Sequence, residues 1–113
     1  MRHWKLDEAR EESPAILHSR EGEARVVVLS LARDQMLGEH QVHESALLLV
    51  VEGDARIEAG GEAVDATAGE LFRFDPAERH TVTTSTGALL LLVLAPWPGE
   101  GHYQGDEAVS ASA

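Results

Sequence analysis

From Ala15 to Ala95 the chain alternates short apolar or period-two runs with turn-forming clusters. The runs are "AILH", "ARVVVLSLA", "ALLLVV", "ARIEA", "EAVDA", "ELFRF", "HTVTT" and "ALLLLVLA". The separators are "REGE", "RDQMLG", "EGD", "AGG", "TAGE", "DPAE" and "STG", which supply glycine, proline or aspartate where a chain reverses. Many short strands at close spacing, with no long helical pattern, predict an all-β sandwich or barrel of antiparallel strands. Two runs, "VVVLSLA" and "ALLLLVLA", are apolar on both faces, as expected of strands with the core on one side and a second layer on the other. Phe72 and Phe74 stand two apart and so share one face, predicted to be the core, while Arg73 points out. Gly60-Gly61 reads as a hairpin turn.

The flanks differ. Residues 1–14 form a polar lead-in, with a helical turn over Leu6 to Glu12 that Pro14 ends by removing a backbone donor. The domain proper is expected over 15–98, and 99–113 reads as a flexible tail whose last eight or so residues are mobile.

The length of 113 residues at 43% hydrophobic content suits one core and one domain. Twenty acidic against nine basic residues give a formal charge of -11, which repels phosphate backbones and anionic lipid surfaces. Neither nucleic acid nor a membrane is therefore expected as a partner. With no cysteine, disulfides, thiolate metal cages and thiol nucleophiles are excluded. "MRHWKLDEAREESP" has no apolar signal core and "ALLLLVLAP" is too short to span a bilayer, so a soluble cytoplasmic chain is expected. No Gly-x-Ser-x-Gly elbow, Gly-x-Gly-x-x-Gly run or Walker-type loop occurs.

The order of the segments carries a resemblance. A histidine near a strand end is followed by an apolar strand closing on "VEGD", a Gly-Gly hairpin, a "TAGE" turn, an "LFRF" strand and "DPAERH". Over roughly residues 25–95 this resembles the cupin superfamily, in particular its small single-domain bacterial members. The resemblance implies a double-stranded β-helix, or jelly roll. Anchored on Gly53, the family's first motif places its first histidine on His40, its second on Val42, its glutamate on Ala46 and its leading glycine on Asp34. The second motif matches at Gly69 and His80, with Asp75, Ala77 and Thr84 standing for its proline, second glycine and asparagine.

In metal-bearing cupins three histidines and a glutamate converge inside the barrel. The resemblance implies His40 and His80 as ligands of a divalent transition metal such as Zn, Ni, Mn or Fe, held weakly or at partial occupancy because half the set is replaced. Strand alternation puts His40 and Val42 on the inner face and His43 on the outer one, so His43 joins the site only if a bulge or turn resets the parity. On that geometry Glu44 is a substitute carboxylate, although its default is an exposed turn position. His3, His18 and His102 are expected at the surface. Trp97, between Pro96 and Pro98, is expected to cap a barrel mouth or pack on a partner.

Three functional classes follow. The favoured one is a module that binds a small molecule, or a divalent metal weakly, inside the barrel near His40 and His80. The others are a metal-dependent oxygenase or isomerase acting on a small molecule, and a non-catalytic structural dimer. The doubly apolar strands expose more apolar surface than a monomer carries, so a homodimer is expected.

Overall fold

The computed structural model describes residues 1–40 and 44–98, with 38–40 in backbone only. The lead-in forms α1 (Leu6–Ala9) and a 3-10 turn (Arg10–Glu12). Eight strands follow: β1 (Ala15–Ser19), β2 (Arg25–Leu31), β3 (Met36–His40), β4 (Ser45–Ala59), β5 (Glu62–Thr67), β6 (Leu71–Phe74), β7 (His80–Thr83) and β8 (Ala88–Ala95). All pairings are antiparallel, in the order β1-β2-β8-β4-β7-β3, with β5 and β6 both on β4. The chain is an all-β jelly roll: the antiparallel strands follow the short-strand pattern, and the jelly roll is what the family resemblance implies.

Strand β4 holds the architecture together. Its first half pairs with β8 and β6, and its second half pairs with β7 and β5. "EGD", expected as a turn, is instead an irregularity inside one continuous strand, where the register shifts between Val50 and Glu52. Gly53 has a φ of +82°, and a Cβ there would overlap the carbonyl oxygen of Gly87. Only glycine permits both the left-handed backbone and this close approach. "RDQMLG" is likewise more than a separator, because β3 begins at Met36 within it.

Inward positions of β2, β4, β7 and β8 build the main core: Val27, Leu29, Leu48, Val50, Ile57, Val82, Leu90 and Leu92 are all buried. A second cluster of Ala15, Val28 and Leu89 lies on the opposite face, under Leu6 and Ala9 of the lead-in. The doubly apolar reading of β2 and β8 has this cause. The lead-in is also tied down by polar contacts, Arg10 to Glu52 at 2.7 Å and the Ser30 amide donating to Ser13 Oγ at 2.7 Å. Phe74 is buried and Phe72 packs partly against the core, while Arg73 is exposed. Gly60 and Gly61 both take positive φ in the β4–β5 hairpin, at 59° and 81°.

The family's glycine positions keep their backbone shape without glycine. Asp34 has a φ of 66° and Ala77 one of 67°. The left-handed conformation costs a Cβ-bearing residue about 1–2 kcal/mol, and alanine has no side-chain hydrogen bond with which to offset it. Ala77→Gly is expected to raise the melting temperature by a few degrees, since relief of that cost exceeds the added chain entropy of glycine. Gly53→Ala should instead lower stability by roughly 3 kcal/mol or more, because backbone atoms on both sides must move. Thermal melts followed by circular dichroism check both, and an unchanged melting temperature in Gly53→Ala would contradict the close approach.

Candidate functional site

The inner face at one end of the barrel is assembled by cross-strand register. Arg25 is opposite Leu94, Leu94 opposite Ala46, and Ala46 opposite Phe74, a row across β2, β8, β4 and β6. All four are buried, and antiparallel partners present their side chains to the same face. The Phe74 ring stacks on His80, with ring centroids 4.1 Å apart and planes 2° from parallel. On the backbone of β7, His80 stands directly opposite His40 of β3 on one side and Ala59 of β4 on the other. The two histidines at family ligand positions are therefore register partners.

The "DPAERH" turn delivers His80 to this place. The Asp75 amide donates to Glu78 Oε1 at 2.9 Å and the Glu78 amide donates to the Asp75 carbonyl at 3.0 Å, closing a loop through left-handed Ala77. His80 emerges as the first residue of β7, only 4% exposed, while Arg79 is exposed and Glu78 partly so. Burial pushes the imidazole below its ordinary range; the Glu78 carbonyl, 3.4 Å from Nδ1, and the Glu78 charge act in the opposite sense. His80 is thus held neutral near pH 7, with one ring nitrogen carrying a lone pair.

The remaining expected residues separate. Ala46, at the family's carboxylate position, is completely buried between Leu94 and Phe74. Glu44, whose default was an exposed turn, is buried just before β4 begins. That burial corrects the sequence expectation: the residue enters with the parity of inward Ala46, which a turn reading of "HES" ignores. His43 and Val42 lie outside the described residues, as does the tail expected to be mobile. His3 is exposed; His18 is half-buried and lies 3.2 Å from Glu23. Among the described residues no three histidine, aspartate or glutamate side chains come close enough to hold a metal ion.

Sequence reasoning passed over Arg25, and it placed Thr84 at the family's asparagine position without a role; both are buried. Arg25 lies under Trp97, which is buried with the core, its guanidinium 4.7 Å from the ring centroid, and donates from Nη1 to Ser19 Oγ at 3.1 Å. The signal was present, since two-residue alternation back from Val27 puts Arg25 inward. Thr84, at the family's asparagine position, accepts from the Gly87 amide at 2.8 Å and donates to Asp54 at 3.2 Å. It fastens the β7–β8 turn against β4. Beside His80 an open depression of about 420 Å³ is lined by Arg56, Glu58, Glu62 and Arg79 among others. A larger one of about 490 Å³, lined by Asp34, Asp54 and Asp65, contains no histidine, and its Asp54 and Asp65 are bonded to Thr84, Thr86 and Arg56. The His80 end is the better candidate.

The cupin-domain profile matches residues 28–95, well over half of the chain and all of this constellation except Arg25, its partner Ser19 and Trp97. The chain belongs to the cupin superfamily. Among curated proteins none matches it. Several solved cupins share its fold. A conserved Klebsiella pneumoniae protein with a double-stranded β-helix domain is 20% identical over 95% of this chain and 98% of its own, at a TM-score of 0.76. An RmlC-like cupin from Shewanella frigidimarina is 22% identical over 80% and 88%, at 0.65. A predicted oxalate decarboxylase from Thermotoga maritima is 22% identical over 64% and 66%, at 0.60. At such identities the likeness concerns the fold. As for membranes, no described helix is long and apolar enough to cross one.

The buried imidazole makes stability depend on pH with a definite sign. His80 titrates near pH 6.5 when unfolded and lower when folded, so the unfolded state binds the proton more readily. Its contribution is fully present above about pH 6.5 and is lost as pH falls through that value toward the folded pKa. His80→Phe keeps a flat ring on Phe74 and cannot titrate. Urea midpoints at pH 8, 6.5 and 5 should fall less steeply toward acid in this variant than in the native chain, and parallel profiles would contradict the assignment.

Proposed function

We propose that this cupin is a binding module without turnover. It takes a small molecule, or a divalent transition metal (Zn, Ni, Mn or Fe) weakly and at partial occupancy, inside the barrel near His40 and His80. It works as a homodimer in the cytoplasm. The observation that carries the reading is Ala46. A methyl group fills the family's carboxylate position, fully buried between Leu94 and Phe74. Two imidazoles in register remain, and two neutral nitrogens bind a metal far less tightly than four converging donors with a supporting outer layer. His43 and Glu44 are the residues that would add to them. The same pair, beside Phe74, suits a small molecule with an apolar body and a hydrogen-bonding group.

Calorimetric titration with zinc, nickel and manganese tests the reading. The native chain should bind weakly, with affinity that falls as pH drops through the histidine range, because protonated imidazole cannot coordinate. His40→Ala and His80→Ala should each weaken binding about tenfold or more, and Val42→His with Ala46→Glu should strengthen it by about a hundredfold or more. Unchanged binding in both alanine variants would remove the site. Tight stoichiometric metal in the native chain would replace this reading with that of a metal-dependent oxygenase or isomerase.

A further inference from the structure

The turn between β6 and β7 stacks the two residues that bracket it. Phe74 closes β6 and His80 opens β7, and their rings lie face to face with centroids 4.1 Å apart and planes 2° from parallel. Phe74 is itself fixed by its register partner Ala46 on β4 and by the main core. The imidazole's contact with the Glu78 carbonyl is 3.4 Å long at Nδ1, too weak a bond to orient a ring alone. A histidine ring turns about χ2 in a broad, roughly twofold well, so a buried imidazole needs one constraint on its plane and another on which edge faces which way. Phe74 supplies the first, since a parallel stack permits only the observed plane and its reverse. Glu78 supplies the second. With Nδ1 toward its carbonyl the ring can donate an N–H; the reversed ring offers that oxygen only a C–H.

We propose that Phe74 is a positioning residue for the site: by fixing the plane of the imidazole it holds His80 in the Nδ1–H form, with Nε2 as the nitrogen that carries the lone pair. The inference rests on the binding reading above and adds what makes His80 usable there. A metal or a hydrogen-bond donor meets a neutral imidazole at the nitrogen without the proton, and the hydrogen bond at the other nitrogen decides which one that is. A histidine side chain left to itself in water favours the opposite form, with the proton on Nε2. The work of Phe74 is therefore done through His80, by keeping the ring where the long Glu78 contact can select its proton.

Two-bond proton–nitrogen correlation spectra of the full chain at pH 8, where imidazoles are neutral, read the tautomer, with the His80 signals identified by their loss in His80→Phe. Circular dichroism melts establish that each variant is folded. Native His80 should show a protonated Nδ1 and an unprotonated Nε2. Phe74→Leu should move the pattern toward the Nε2–H form and weaken zinc binding about tenfold, whereas Phe74→Tyr, which keeps a flat ring, should hold the native pattern and bind zinc within about threefold of the native chain. Leu29→Ala, a cavity elsewhere in the same core, should lower the melting temperature and leave the His80 pattern alone. A native Nε2–H form would overturn the proposal. So would a Phe74→Leu spectrum like the native one, or a change of the same size in Leu29→Ala. If the native chain binds no zinc, the metal reading fails by itself, and the spectra still decide the role of Phe74.

Discussion

Strand β4 can belong to both halves of the barrel because its backbone at Gly53 passes directly against that of Gly87. A side chain at Gly53 would separate β4 from the β7–β8 turn, and the partners of β4 change at that place, from β8 and β6 to β7 and β5. The contact is fastened by Thr84, which accepts from the Gly87 amide while donating to Asp54 on β4. What the rest of the molecule inherits is a register. Once β4 is fixed against β8, Ala46 must fall between Leu94 and Phe74; once its second half is fixed against β7, Ala59 and His40 must flank His80.

That register explains how the barrel tolerates the loss of half a ligand set. The backbone demands of the two family motifs are met without their usual residues: Asp34 and Ala77 adopt the left-handed turns expected of glycine, and Thr84 takes over a loop-closing role. The family's carboxylate position is taken up by packing here. Ala46 is core, and Phe74 lies flat on His80. An imidazole held neutral by burial and stacked on Phe74 is suited to accept a hydrogen bond or to share a metal.

Much of this was legible in the chain, for reasons that are local. Two-residue alternation placed Phe72 and Phe74 inward and Arg73 outward, Gly60-Gly61 announced its own hairpin, and the resemblance of Gly69 and His80 to the family's second motif implied an inward His80. What alternation could not reveal was long-range. "EGD" has the composition of a turn, and only the crossing of β4 between its two sets of partners makes it an irregularity within a strand. "RDQMLG" looked like a connection because Asp34 and Gly38 dominate it, yet β3 starts at Met36 to pair with Thr83. Glu44 looked exposed because charged residues beside a turn generally are; its burial follows from its parity with Ala46. Arg25 was obscured by the four-residue apolar run after it, Val26 to Leu29, although its place under Trp97 obeys the same alternation.

The central claim is that two register-paired histidines, with an alanine where a carboxylate ligand belongs, make a binding site too sparse for a resident catalytic metal. Elemental analysis of the chain, expressed without a histidine tag and dialysed against a chelator, tests it most directly. The account predicts well under one equivalent of any transition metal per chain after dialysis. One full equivalent that survives the chelator would contradict it.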